Sequence, residues 1–154
     1  MKKYIKDVNE MNKFAQILGE NLKRGDLVDL IGDLGAGKTT LVQGMKKVFN
    51  IEENINSPTF SIVNIYEGDM KIYHLDLYRF EREEEIEQLD YLEYFYPEEG
   101  ISFLEWSENV KSYLPNERIK IYISYYKDGR VIEIKEDNER EKELVEALNE
   151  NFDN

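Results

Sequence analysis

Hydrophobic residues recur at helical spacing near the start of the chain and form a continuous run directly afterwards. Between residues 9 and 23 they recur every three or four positions, which predicts an amphipathic helix that Gly25 ends. Its apolar stripe consists of Met11, Phe14, Ala15, Leu18 and Leu22. Residues 27–31 are almost all apolar and predict a short buried strand. Helical spacing returns after residue 40 and predicts a second helix that runs to about Asn50.

The middle of the chain predicts a loop, a β-hairpin and a helix. Turn residues make 54–59 a loop. Two strand-like runs follow at 60–66 and 70–77, and the short polar segment between them predicts a hairpin. Residues 81–96, which end in an aromatic cluster, predict a helix.

The last third of the chain predicts a short strand, a hairpin and a helix. An apolar strand is expected at 101–106. Isoleucines alternate with polar residues at 119–123, and the turn Asp128-Gly129 leads into a strand at 131–134, which predicts an antiparallel C-terminal hairpin. A polar helix with one apolar stripe follows. We therefore expect a domain at 1–137 and a polar helical tail at 138–154.

A glycine-rich segment joins the first predicted strand to the second helix. Its sequence GDLGAGKTT, from Gly32 to Thr40, matches the phosphate-loop pattern G-x-x-x-x-G-K-[ST] between a strand and a helix. Glycines let the backbone wrap around phosphates with its N–H groups turned inward, and the helix adds its positive N-terminus. Lys38 suits the β- and γ-phosphates, and the Thr39 hydroxyl suits Mg²⁺. The sequence predicts a Mg²⁺–nucleoside triphosphate site in an α/β fold, a three-layer P-loop NTPase-like sandwich with a mixed sheet.

Other segments narrow the nucleotide and the reaction. No N-K-x-D segment is present to bind guanine, and the D-x-x-G pattern at 29–32 lies before the loop, where it cannot sense a γ-phosphate. ATP is therefore favoured over GTP. Small-molecule kinases hold the transferred phosphoryl group with several arginines, whereas only Arg79 and Arg82 lie close together beyond the loop. A kinase reaction is disfavoured but stays open.

Composition and charge disfavour several classes of function. The formal net charge is −13 over 154 residues, and an acidic protein repels phosphate backbones, so direct binding to DNA or RNA is disfavoured. The acidic runs at 81–85 and 136–141 are typical of solvated helix faces, with an acidic docking surface as the alternative. Because the chain has no cysteine, no apolar run of roughly 20 residues and no export signal at its start, we expect a cytoplasmic protein that does not enter a membrane.

Three further residues have side chains suited to complete an ATPase site. Asp76 and Glu105 each lie at the end of a predicted strand, where a carboxylate can meet Mg²⁺ or its waters. Thr59 places a hydroxyl in a loop, as switch-loop threonines do near a γ-phosphate. Each residue also has an ordinary alternative role, because strand-end carboxylates are usually solvated and Ser-Pro-Thr is a common turn.

Four segments together, GDLGAGKTT, SPTF, HLDLYR and EWSE, resemble the TsaE family in order and spacing, over about residues 8–134. The family comprises bacterial P-loop ATPases needed to make N6-threonylcarbamoyl adenosine next to the tRNA anticodon. The resemblance implies an accessory ATPase, weak alone and stimulated by TsaB and by TsaD, which transfers the threonylcarbamoyl group. It implies contact with tRNA only through these partners, and a loop at 54–60 that changes shape on hydrolysis. A stand-alone small-molecule kinase and a nucleotide-binding module without hydrolysis are the alternatives.

The same resemblance implies roles for individual residues. The implied catalytic residues are Lys38, Thr59, Asp76 and Glu105, and the implied Mg²⁺ ligands are Thr39, Glu105 and, directly or through water, Asp76. The residues implied for ATP binding are Met11, Asp33, Gly35, Ala36, Gly37, Lys38, Thr39, Thr40 and Trp106. The family commonly has a threonine where this chain has Met11, near the base, so only a backbone contact is expected there. His74 is interpreted as structural.

Overall fold

The computed structural model describes residues 1–58 and 61–152. Its strands are β1 (Lys2–Ile5), β2 (Leu27–Ile31), β3 (Val63–Glu67), β4 (Lys71–Asp76), β5 (Gly100–Glu105), β6 (Ile119–Tyr126) and β7 (Gly129–Glu133). Its α-helices are α1 (Val8–Asn21), α2 (Lys38–Gln43), α3 (Tyr91–Phe95) and α4 (Glu139–Phe152), and two 3₁₀ helices span Glu83–Gln88 and Ser107–Tyr113.

The seven strands form one mixed sheet in the order β1-β7-β6-β2-β5-β4-β3. The central strands β6, β2, β5 and β4 run parallel to one another, while β1, β7 and β3 pair antiparallel at the two edges. The carboxyl ends of the parallel strands meet at one end of the sheet, which is where ligands bind in open α/β folds. The phosphate loop leaves β2 at this end.

Helical layers cover both faces of the sheet. On one face α1, α2 and α4 bury apolar side chains against the sheet, with Phe14, Leu41 and Leu144 fully enclosed. On the other face the two 3₁₀ helices and α3 cover the central strands through Ile86, Phe95 and Val110. The predicted α/β sandwich with a mixed sheet and an antiparallel C-terminal hairpin is thereby confirmed.

The second helix is shorter than its apolar spacing predicts. It ends at Gln43, and the chain continues to Asn50 in tight turns. A β-carbon on Gly44 would lie 2.5 Å from Ala15 Cβ, so the close approach of α1 requires glycine here. Glycine is a poor helix residue, and it ends α2 where tertiary packing demands it.

The prediction of a single helix at 81–96 is wrong. A 3₁₀ helix and α3 stand in its place, because Leu89 and Asp90 have non-helical backbone angles between them. Glu83 accepts hydrogen bonds from both the hydroxyl and the backbone N–H of Ser112, which lower the pKa of Glu83 and hold the segment against the second 3₁₀ helix. Long-range contacts therefore override the local helical pattern.

Two further features lie beyond the sequence-based expectations. Strand β1, which the sequence pattern does not predict, pairs with β7, with Lys3 opposite Ile132. The apolar stripe of α4 is buried, and Arg140 binds the Asp26 carboxylate through two nitrogens at 2.9 and 2.8 Å, which raises the pKa of Arg140. In the part of the chain that the structure describes, no helix is both long and apolar enough to cross a lipid bilayer.

Candidate nucleotide-binding site

The glycine-rich loop joins β2 to α2 with two residues in the left-handed region. Gly35 and Gly37 have φ values of +77° and +114°, a conformation that strongly favours glycine. Gly37 is the N-cap residue of α2, and it has no side chain to cap the N–H groups of the first turn. The loop thus leaves backbone donors available at the positive end of a helix, which suits an anion.

The side chain of Lys38 is fixed by two contacts within the site. Its side chain is buried, and its Nζ donates a hydrogen bond to Gly32 O at 2.8 Å. The same Nζ lies 4.2 Å from the ring centroid of Trp106, in a cation–π contact. A buried ammonium group beside a backbone-lined loop is suited to bind phosphate oxygens.

A hydroxyl and two carboxylates converge beside Lys38. Asp76 and Glu105 are opposite each other at the carboxyl ends of β4 and β5, and both are buried. Thr39 Oγ1 donates to Glu105 Oε2 at 3.2 Å, and His74 Nε2 lies 2.6 Å from the same oxygen. Since a carboxylate only accepts, the imidazole N–H donates and fixes the orientation of Glu105.

The hydroxyl and carboxylate oxygens of Thr39, Asp76 and Glu105 suit Mg²⁺ in type and in charge. This ion prefers a few carboxylate or hydroxyl ligands and completes its coordination shell with water and phosphate oxygens. Among the described residues no three His, Asp or Glu side chains form a metal cluster by themselves. A bound Mg²⁺ would therefore depend on Thr39, Asp76 and Glu105 together with oxygens of the nucleotide.

Two cavities flank the loop. The first, here named the phosphate cavity, has a volume of about 190 Å³ and is lined by Leu34, Gly35, Gly37, Lys38, Thr39, Thr40, Ser57, Asp76, Glu105 and Trp106. The second, here named the hairpin cavity, is lined by Ile5, Lys6, Asp7, Val8, Met11, Gly35, Ala36, Gly37, Thr40, Asp128, Gly129 and Arg130. The two cavities share loop residues, so one extended ligand can contact both.

The structure brings most of the residues expected from the sequence to these cavities. Met11 is buried in the first turns of α1 and lines the hairpin cavity, while Thr40 lines both cavities. Asp33 is exposed and lines neither, although its carbonyl accepts from Ala36 N within the loop. Thr59 lies outside the described residues.

Trp106 lies at the edge of the phosphate cavity with an unusual backbone conformation. The residue follows β5 directly, has φ +58°, and is half-buried. Its ring contacts Tyr78 edge-on at 5.0 Å between centroids. The tryptophan therefore packs against Lys38 and Tyr78 at the mouth of the site, which differs from the core position typical of a single tryptophan.

Two residues that contact the loop were not expected from the sequence. Tyr125 and Arg130, from β6 and β7, donate hydrogen bonds to loop carbonyls more than 90 residues earlier in the chain. No local pattern marks them, because the hairpin signal at Asp128-Gly129 predicts only that two strands pair. Their contact with the loop depends on the position of β6 beside β2 in the sheet.

Comparison with known proteins agrees with this geometry. The profile of the family described as "Threonylcarbamoyl adenosine biosynthesis protein TsaE" matches residues 5–132. A Haemophilus influenzae protein named tRNA threonylcarbamoyladenosine biosynthesis protein TsaE is 40% identical, over 88% of this chain and 87% of its own length. A Bacillus subtilis protein of the same name is 41% identical, over 74% of this chain and 71% of its own length.

The solved structures include one close in fold. The crystal structure of Bacillus subtilis YdiB superposes with a TM-score of 0.83 at 31% identity, covering 100% of this chain and 96% of that one. The resemblance stated from the four sequence segments is confirmed by the family profile, which spans most of the chain. This chain belongs to the TsaE family.

Proposed function

We propose that this protein binds Mg²⁺–ATP and hydrolyses it as an accessory step in the threonylcarbamoyl modification of the adenosine next to the tRNA anticodon. The observation that carries the proposal is the convergence of Lys38, Thr39 and two strand-end carboxylates on one cavity beside the phosphate loop. Membership of the TsaE family supports the pathway. ATP is preferred over GTP because the guanine-binding segment N-K-x-D is absent from the sequence.

The residues of the phosphate cavity have two roles in this proposal, to bind the phosphates and to hold Mg²⁺. The loop N–H groups and Lys38 bind the β- and γ-phosphates and offset the charge that develops on them during hydrolysis. Thr39, Glu105 and Asp76 would hold Mg²⁺, which supplies charge neutralisation for the leaving diphosphate when bound. Thr59 belongs, in this proposal, to a switch-like loop at 54–60, of which Ser57 lines the cavity.

The described arginines favour hydrolysis over transfer to a small molecule. Three arginines are engaged away from both cavities. Arg24 donates to Glu99 O, Arg118 to Asp29 and Arg140 to Asp26, and none of these residues lines either cavity. Of the described arginines only Arg130 lines either cavity, and it donates to the loop carbonyls of Ala36 and Gly35 and to Gly129 O. Kinases need cationic side chains over the transferred phosphoryl group, and in the described part of the chain none lines the phosphate cavity besides Lys38.

The proposed partners are TsaB and TsaD, with tRNA contacted only through them. A net charge of −13 agrees with a protein that does not bind tRNA by itself. Hydrolysis would change the shape of the loop at 54–60 and thereby the surface that the partner complex contacts. We accordingly expect weak ATPase activity alone and stimulation by the partners.

Three parallel assays test this function. Phosphate release from ATP is measured for the protein alone, with TsaB and TsaD, and with a panel of small hydroxyl acceptors. We expect slow release alone and faster release with both partners. Transfer of phosphate to a small acceptor without partners would show a kinase instead, and tight ATP binding without turnover in all three assays would show a binding module.

A further inference from the structure

The outer side of the phosphate loop contacts the hairpin between β6 and β7. Tyr125 donates its hydroxyl to Leu34 O at 3.0 Å, and Arg130 Nε donates to Ala36 O at 3.0 Å. A second guanidinium nitrogen, Nη2, lies 3.4 Å from Gly35 O. Three successive carbonyls of the loop therefore accept hydrogen bonds from one hairpin.

The two hairpin side chains also hold each other in place. Tyr125 and Arg130 are opposite each other in the register of β6 and β7, and the guanidinium group lies over the tyrosine ring, 4.2 Å from its centroid. Arg130 Nη1 donates to Gly129 O at 3.0 Å, which leaves the guanidinium little freedom to turn. A β-carbon on Gly35 would lie 2.8 Å from the Tyr125 hydroxyl, so the loop and the hairpin fit closely.

This contact decides which way the peptide groups of the loop face. In a trans peptide unit the carbonyl and the following N–H point in opposite directions. The described chain has no cis peptide bond, so carbonyls directed at the hairpin leave the N–H groups of Gly35 and Gly37 directed away from it. Those N–H groups are the donors that a phosphate-binding loop must present.

We propose that Arg130 and Tyr125 are positioning residues that hold the phosphate loop ready for a triphosphate before the nucleotide arrives. The inference rests on the proposed function, because it assumes that the loop binds phosphate. Arginine suits the task better than lysine, since its planar group donates in several fixed directions at once. A loop ordered in advance loses less entropy when the ligand binds.

Arg130 also lines the hairpin cavity, so a direct contact with the base or ribose is the competing explanation. Inorganic tripolyphosphate separates the two, because it has the phosphates of ATP without the nucleoside. The dissociation constants of ATP and tripolyphosphate are measured for the unaltered protein and for Arg130→Gln, Arg130→Lys and Tyr125→Phe. Arg82→Gln and Tyr126→Phe serve as controls, since both side chains are exposed and line neither cavity.

We expect Arg130→Gln to raise the Kd of ATP and of tripolyphosphate by the same factor, about tenfold, and Tyr125→Phe to raise both by about threefold. The dissociation constants for Arg130→Lys should lie between those of Arg130→Gln and of the unaltered protein. Lysine keeps the positive charge but lacks the planar guanidinium group that donates in several fixed directions. At saturating ATP, kcat should stay within about twofold while KM rises, since the groups of the phosphate cavity are untouched.

Three results would overturn this inference. They are an effect on ATP without an effect on tripolyphosphate, no effect on either ligand, and a loss of kcat at unchanged KM. Tyr125→Phe removes one exposed hydroxyl and keeps the test valid if Arg130 variants fold poorly. Should the unaltered protein bind neither ligand, the proposed function itself fails, and that outcome is distinct from the other three.

Discussion

The two cavities that flank the phosphate loop share Gly35, Gly37 and Thr40 but differ in how they are built. The phosphate cavity takes Lys38 and Thr39 from the start of α2 and the carboxylates of Asp76 and Glu105 from the ends of β4 and β5. The hairpin cavity is assembled from β1, the start of α1 and the β6–β7 turn, and Met11 contributes an apolar wall.

The proposed function gives the two cavities different ligands, phosphates and Mg²⁺ in the phosphate cavity and the base in the hairpin cavity. Phosphates require positively charged or N–H donor groups, and Mg²⁺ requires oxygen ligands, so few residue types can occupy these positions. A base is held largely by shape and apolar contact, which several residue types provide. On this proposal, Met11 can replace the threonine that the resemblance implies at this position, whereas the phosphate cavity keeps the expected residue types.

The largest effect is expected for Lys38→Ala. Lys38 carries the one ammonium group among the described residues that line the phosphate cavity, and its removal should weaken binding of both ATP and tripolyphosphate by about a hundredfold or more. Binding is measured by calorimetric titration, because the ring of Trp106, the only tryptophan, contacts Lys38 and its fluorescence would change with the substitution itself. Lys47→Ala, on an exposed residue, is the control and should bind normally.

Glu105→Gln should separate reaction from binding. We expect kcat for ATP hydrolysis, measured with both partners, to fall about a hundredfold, because the amide is a poor Mg²⁺ ligand. The Kd of ATP should change by less than about fivefold, since the loop and Lys38 remain. Glu108→Gln, on an exposed carboxylate nearby, is the matched control. Equal losses of binding and turnover in Glu105→Gln would contradict the metal role.

A smaller effect is expected for His74→Ala. The imidazole contacts Glu105 Oε2 and would orient it, so the Mg²⁺ concentration for half-maximal hydrolysis should rise about tenfold. His74→Gln keeps a donor of similar reach and should recover part of the loss. The midpoint of thermal unfolding is measured in parallel. An unchanged Mg²⁺ requirement in a folded His74→Ala protein would show that the histidine is only structural.

The smallest effect is expected for Val8→Trp, which narrows the hairpin cavity. Val8 is exposed and lines this cavity, so the larger ring should not disturb the core. Binding of ATP should weaken about fivefold while binding of tripolyphosphate stays the same. Val8→Ala is the control and should leave both constants unchanged. A parallel loss for both ligands would mean that the hairpin cavity does not hold the nucleoside.

Elements that depend on local pattern were predictable. Strand β2 falls where the apolar run places it, and α1 covers most of the predicted range but ends at Asn21, before Gly25. The expected hairpin forms, with Lys127 and Asp128 at its turn and Gly129 already paired in β7. The phosphate loop was recognisable because its function requires glycines, a lysine and a hydroxyl within nine consecutive positions. The helix predicted at 81–96 failed because packing against the second 3₁₀ helix, through Glu83 and Ser112, replaced regular helix with two short pieces.

By itself, the sequence determined the phosphate loop, the strand-end positions of Asp76 and Glu105, and the membership of the TsaE family, because each of these depends on residue types at fixed spacing. Only the tertiary structure decided that these two carboxylates meet beside Lys38, that His74 contacts one of them, and that Tyr125 and Arg130 donate hydrogen bonds to the loop. The physical reason is that strand order and register bring together side chains that are far apart in the chain. The spacing of residues within one segment does not determine which strands become neighbours.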